Sequence, residues 1–285
     1  MSTRETSATP TFTHLEKASA NAEALAGFGK TPSNYEINYL QERGFSIARA
    51  LAAHCLKWLW CQWLLGEAPA GICERVEKFV ERGMEMQMKS SCFQWRPLHD
   101  LYLLHCGIFA STDSQLEKLA KQVVDTSGYK GTAPQRRFGE LYASAWCGML
   151  KYSILGDYRK AADESEMIWS AYRDPAFAGA TKPLVTPWLK QDWDSFEKQQ
   201  RKDFKKLWER GLKEGWGDES NVKRVVEHVI DGYPLEQRWC WAHCGMALLA
   251  YRRGIKVAND PFWFPAHALS VVDYARNSST RAFPS

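Results

Sequence analysis

Apolar side chains recur every three to four residues along most of this chain, in segments separated by Gly, Pro and short polar clusters. That spacing predicts amphipathic helices, and no strictly alternating run is long enough to predict a strand. Thr13 to Phe28 reads as a short helix with Leu15, Ala18, Ala22 and Leu25 on one face, stopped by Gly27 and Gly29. Ser33 and Glu36 form a capping box ahead of a long helix, Asn34 to Leu65, broken near Gly44. Gly66 to Pro69 then turns the chain into a second helix, Gly71 to Met88, and the two predict a helical hairpin.

The pattern continues in pairs. Pro97 suits a first helical turn, and Leu98 to Ala110 is apolar on almost every side, so this helix is expected at the centre. Ser111-Thr112-Asp113 is a turn and cap, followed by a one-faced helix carrying Leu116, Leu119, Val123 and Val124. Beyond a loop from Tyr129 to Arg136, two more periodic segments flank Gly156-Asp157-Tyr158, which with Ala161 resembles a tetratricopeptide-repeat turn. Pro175, Gly179, Pro183 and Pro187 interrupt the period, so 174–187 is expected to be a linker or long loop. Trp188 to Glu214 reads as a charged helix with one apolar face, Asn221 to Ile230 as a short helix and Leu235 to Arg253 as a buried one. Asp260 to Pro265 is a stiff aromatic turn before a last helix through Tyr274. The whole predicts an all-α fold of stacked antiparallel hairpins, partly tetratricopeptide-like, with about ten to twelve helices. Its divisions are a disordered tail (1–12), a hairpin region (13–173), the linker, and a C-terminal helical region (188–285) packed on the first.

One local motif repeats. Cys106-Gly107, Cys147-Gly148 and Cys244-Gly245 each sit inside an apolar, aromatic-rich segment, and Cys55 lies in a fourth. Cys55, Cys147 and Cys244 are followed nine to eleven residues later by Gly66, Gly156 and Gly254. A small Cys-Gly step lets a neighbouring helix approach closely, and the later glycine is placed to stop the helix.

Composition supports helices: Leu (25) and Ala (31) far outnumber Val (12) and Ile (8). The net charge of +4 is too mild to imply nucleic-acid binding, and the basic stretch Arg201 to Lys206 is interrupted by Asp203. Residues 1–13 lack an apolar core for export, and the richest apolar run, Leu56 to Leu65, is too short to span a bilayer. A cytosolic protein with reduced, buried cysteines is expected.

Three chemistries invite attention. His54-Cys55, His105-Cys106 and His243-Cys244, with Cys240, carry metal-ligand atoms. Adjacent helical residues point about 100° apart, however, and no short-loop C-x-x-C is present, so packing is the expected role and a metal-dependent enzyme the least favoured reading. Cysteines inside apolar helices are poor nucleophiles; His99-Asp100, with Cys92 near in sequence, is the most polar histidine site. Asp163, Glu164 and Glu166 crowd one helix, and Asp192, Asp194 and Glu197 the start of another. Each group is either a solvated face, favoured at a helix start by the dipole, or a surface for a basic partner. Trp263, between two prolines, is either part of a plug over the core or an exposed anchor. No phosphate loop, dinucleotide fingerprint or nucleophile elbow occurs.

Trp239 to Gly254 followed by Asp260-Pro261-Phe262-Trp263-Phe264-Pro265 and Leu269 resembles the C-terminal part of all-helical immunity proteins of bacterial polymorphic-toxin systems. Gly44 to Ala50 through Trp63, and Gln94 to Asp100, are similar to the family called immunity protein forty-nine; PoNi-type immunity proteins are the near alternative. The resemblance implies a cytosolic non-enzyme without cofactor or metal. It would bind a cognate toxin, often a nuclease delivered by a type VI secretion system, and block its active site or its folding. Asp163, Glu164, Glu166, Asp192, Asp194 and Trp263 are the candidate partner-binding residues, with no direct contact to nucleic acid or membrane expected. The competing expectation is a helical scaffold that binds a peptide or regulatory protein in a polar groove.

Overall fold

The computed structural model describes residues 46–89, 96–127, 138–171, 175–213, 235–258 and 266–278, together with Ala20 and Glu23. Among the described residues there are ten helices and no strand. They are α1 (Ser46–Leu65), α2 (Pro69–Lys89), α3 (Arg96–Ala110), α4 (Asp113–Gln122), α5 (Phe138–Ile154), α6 (Tyr158–Ala171), α7 (Pro175–Leu189), α8 (Trp193–Lys213), α9 (Leu235–Arg252) and α10 (Ala266–Ser278). The helices expected at 13–28 and 221–230, the first part of the one expected at 34–65, and the loop 129–136 lie wholly or largely outside the described residues.

Helix α3 is the axis of the packing. Thirteen of its fifteen residues are buried, and it packs against α1, α2, α4, α5, α9 and α10. Such a helix can be apolar all round because every side meets another helix. From α1 it receives Cys55, Leu59 and Trp63, all fully buried, and the Trp63 ring lies 4.9 Å from that of Phe109. From α3 the chain builds outward in hairpins: α3 with α4, α5 with α6, α7 with α8, each pair packing on the one before. Helices α9 and α10 return to close the stack against α3, with α10 also covering α2. No described helix is long and apolar enough to cross a membrane.

The glycines that follow Cys55, Cys147 and Cys244 all have positive φ: Gly66 (71°), Gly156 (81°) and Gly254 (75°). Each ends its helix with a Schellman bond. The N–H of the next residue donates to a carbonyl five residues back: Glu67 to Gln62 (3.2 Å), Asp157 to Tyr152 (2.9 Å) and Ile255 to Ala250 (3.1 Å). The α4 start is capped as the sequence suggests, Thr112 Oγ1 accepting from the Gln115 N–H (3.2 Å), and the structure adds a second cap at α6, where Asp157 Oδ1 accepts from that of Lys160 (3.1 Å).

The expectation of a linker at 174–187 is corrected. Pro175–Leu189 is helix α7 despite Pro183 and Pro187 within it. Leu184, Val185 and Trp188 form a buried face against α6 and α8, and they belong to the same apolar cluster as Cys55, Cys147 and Cys244. Tertiary burial outweighs the lost backbone bonds of the two prolines. The charged helix accordingly starts at Trp193, not Trp188; Gln191, at φ 56°, makes the break.

Candidate functional site

The candidate partner-binding acids divide into different roles. Asp163 and Glu166 are exposed on α6. Glu164 between them points inward, with a relative exposure of 7%, and this corrects its placement on a surface with the other two. Its carboxylate lies directly over Gly148 of α5. It accepts from Thr126 Oγ1 (2.9 Å) and from the Thr126 N–H (3.3 Å). Burial pushes its pKa up, against the pull of those two bonds. A side chain larger than hydrogen at 148 would occupy the space of this carboxylate, so Cys147-Gly148 serves a polar contact as well as an apolar one.

Asp192 and Asp194 are both exposed at the start of α8. Asp192 is its N-cap, accepting from the Ser195 N–H at 3.1 Å, and the bonds from Ser195 hold its carboxyl below the ordinary value. Asp194 sits in the first turn, where the dipole favours a negative charge. Tyr158 and Trp193, with ring centroids 6.4 Å apart, bring the first turns of α6 and α8 side by side around Trp188 and Phe196. Trp263 and the aromatic turn 260–265 lie outside the described residues.

Next to Glu164 is a second acid-centred cluster that holds residues 123–127 onto α5. Asp125 Oδ2 accepts from Tyr152 Oη (2.7 Å) and Lys151 Nζ (3.1 Å), and Asp125 Oδ1 from Ser127 Oγ (2.7 Å). Lys151 also donates to the Val123 carbonyl at 3.2 Å. Burial and the bond to Asp125 raise the Tyr152 pKa, so the phenol keeps its proton at neutral pH. The arrangement fastens a loop and offers no poised acid or base.

The six cysteines of the described side chains are free thiols and buried. Burial pushes Cys61 and Cys73 up to about 12, and Cys55 and Cys147 well above their ordinary value. Several act as weak donors between helices, as Cys147 Sγ does to the Pro97 carbonyl (3.3 Å) and Cys73 Sγ to that of Val271 (3.6 Å). His105 Nδ1 lies 2.7 Å from the Leu101 carbonyl, to which it donates, and burial lowers its pKa to about 4. Among the described residues no three His, Cys, Asp or Glu gather as a metal ion would need. The side chains of Cys240 and His243, and all of Cys92, lie outside the described set.

His99-Asp100 is a buried junction of three segments. Asp100 Oδ1 accepts from Gln87 Nε2 of α2 (2.7 Å), and Asp100 Oδ2 from the Val124 N–H after α4 (2.9 Å). Arg96 Nε stands 3.5 Å from Oδ2, and His99 Nδ1 3.3 Å from Oδ1. With its oxygens occupied by three elements of the fold, this carboxylate organises structure.

Sequence reasoning missed the pair Arg252-Arg253. Arg252 is buried and caps the C-terminus of α3 from outside, donating to the carbonyls of Ile108 (2.8 Å), Ser111 (2.7 Å) and Gly107 (3.5 Å). Its Nη1 also bonds Asp113 Oδ1 at 2.6 Å. Arg253 donates to the Ser153 carbonyl near the end of α5, and its guanidinium lies 5.0 Å from the Tyr158 ring centre. In the sequence they are two cations in a last turn before glycine, a pattern with no pointer to another helix. No family model, no curated protein and no solved structure matches this chain.

Proposed function

We propose that this chain is an immunity protein that binds a cognate secreted toxin, of the nuclease type, in the cytosol and neutralises it by occlusion. The reading starts from the sequence resemblance of Gly44–Trp63, Gln94–Asp100 and Trp239–Leu269. The observation that carries it is the division of labour between interior and surface. The side chains with reactive potential are buried in helix packing: Cys55, Cys106, Cys147, Cys244 and His105. Asp163, Glu166 and Asp194 are held outward on packed helices. A preformed charged surface loses little entropy on binding and selects a partner by charge complementarity, here a basic one. A peptide-binding groove finds less support, since the central helix α3 leaves almost no inner face uncovered.

The test is co-expression with the product of the adjacent gene. That product should co-purify with this chain and lose its toxicity. Asp163→Lys combined with Glu166→Lys should weaken capture by about tenfold or more while leaving the helical signal unchanged. No capture and no protection by the wild-type chain overturns the reading.

A further inference from the structure

Helices α1 and α3 pack against each other with a thiol from each at the contact. Cys55 and Cys106 are both free and both fully buried. Cys106 Sγ lies 4.0 Å from the Ala52 carbonyl, to which it donates, one turn before Cys55 on α1. A helical side chain leans back over the turn that precedes it, so the Cys55 thiol reaches the same spot. There it donates to the Cys106 sulfur; burial, and then this bond, raise the Cys55 pKa well above its ordinary value. The two sulfurs touch, in a chain of bonds that runs from Cys55 through Cys106 to Ala52.

Cys73 and Cys147 are placed differently. Each donates to a backbone carbonyl, of Val271 and of Pro97, and neither has a thiol among the groups that act on it. A thiol that only fills space needs no second sulfur beside it. Two sulfurs in contact on neighbouring helices need only a small approach, and a turn about each Cα–Cβ bond, to reach bonding distance. A bond between them would join residues about fifty apart and so remove a large loop from the unfolded ensemble.

We propose that Cys55 and Cys106 form a reversible disulfide that staples α1 to the central helix α3 when the chain meets hydrogen peroxide. Peroxide suits a site with no exposed surface, because it is close to water in size. One cysteine sulfur attacks the peroxide; the O–O bond breaks, a water leaves and that sulfur becomes a sulfenic acid. The other sulfur attacks it, the S–O bond breaks, and a second water carries off the oxygen with the remaining thiol proton. Two thiols thus lose two electrons and one peroxide is reduced to two waters. The second sulfur is in place before the first reacts, so the sulfenic acid is trapped ahead of further oxidation. A dithiol reductant reverses the bond by thiol–disulfide exchange. None of these steps depends on what the outer surface of the protein binds.

Peptide mapping of the folded chain after brief peroxide treatment tests it, with the remaining thiols alkylated in denaturant before digestion. One linked pair of peptides should join Cys55 to Cys106, while Cys73 and Cys147 are recovered alkylated. The urea midpoint of the treated chain should rise by about 1 M and return after dithiothreitol. Cys55→Ala and Cys106→Ala should each abolish the link and the rise, and Cys147→Ala should keep both. Circular dichroism checks that each variant keeps its helices, and the wild-type map decides the matter even where an alanine variant unfolds. Recovery of both thiols alkylated, the outcome for a pair kept only for packing, overturns the proposal. So does a sulfinic acid at either position in place of the link, a midpoint that falls when the link forms, or a rise that persists in Cys55→Ala.

Discussion

Helix α3 buries thirteen of its fifteen residues and keeps His99, Asp100 and His105 among them, whereas α8 buries Phe196, Gln200 and Asp203 and turns five cations to solvent. The two helices meet their polar groups by different means. On α8, water satisfies what the protein does not, and only the inward side needs partners: Gln200 exchanges two hydrogen bonds with the Ala258 backbone. On α3, buried polar groups need partners within the protein, because an unmet one costs free energy: His105 finds one in its own helix, and Asp100 draws on Gln87 of α2 and on Val124 after α4. Its polar groups consequently fix where α2, α4 and α9 sit. Substitutions in the interior should therefore be felt by the whole fold, and those on α8 should be felt by partners.

The strongest way to break the contrast is at Arg252. Arg252→Leu would leave the Gly107, Ile108 and Ser111 carbonyls without their donor, while the half-exposed Asp113 keeps Arg276 Nε at 3.3 Å. With three bonds from a charged donor lost, a fall of about 3 kcal/mol or more in urea unfolding is expected. On α8, Lys202→Ala should stay within about 0.5 kcal/mol of the wild type. Equal effects at the two sites would show that the interior polar contacts do not organise the fold as argued.

Acid should separate the two regions next. His105 is fully buried and its pKa lies near 4, below the ordinary 6.5. The unfolded chain thus takes up a proton that the native one refuses. The stability contributed by the neutral ring is present above pH 6.5 and lost as pH falls toward 4, by up to about 3 kcal/mol. Glu164 has the opposite sign: its raised pKa makes the ionised form the costly one, so its contribution is greatest at low pH and is lost as pH rises through the folded value. Urea midpoints at pH 7 and pH 4.5 should fall less for His105→Gln than for the wild type, since glutamine can still donate toward Leu101. An identical fall would exclude His105 as the source.

The glycine steps sharpen the interior side. A Cβ on Gly245 would lie 2.6 Å from His105 Cδ2 and 2.9 Å from Nε2, and the bond to Leu101 holds that ring in place. Gly245→Leu should cost about 1–3 kcal/mol by overpacking, and Cys244→Ala less. This much was legible in the sequence, because Cys-Gly inside an apolar run and a stopping glycine nine to eleven residues on are local signals. So were α3 as the central helix and the cap at Thr112. Contacts that join distant segments were not legible. Glu164 reads as one of three surface acids until α5 supplies Gly148 and the loop supplies Thr126. Arg252 carries no signal in the sequence for the helix it caps, which lies more than 140 residues away. Helix α7 carries two prolines that argue against it, and only the neighbours of Leu184 and Trp188 reverse that argument.

Gln191 offers the smallest effect and a clean local one. It ends α7 at φ 56°, where the other Schellman turns, after Cys55, Cys147 and Cys244, carry glycine. The bond is the same: the Asp192 N–H reaches the Pro187 carbonyl at 2.9 Å. A side chain with a Cβ is strained there by about 1–2 kcal/mol, and glycine relieves this while adding disorder to the unfolded chain. The side chain is exposed, so its removal gives up little packing. Gln191→Gly should therefore raise stability by about 0.5–1 kcal/mol, read as a higher urea midpoint with an unchanged slope. A fall instead would mean that the α7–α8 junction depends on the glutamine side chain, and the backbone account of this turn would have to be given up.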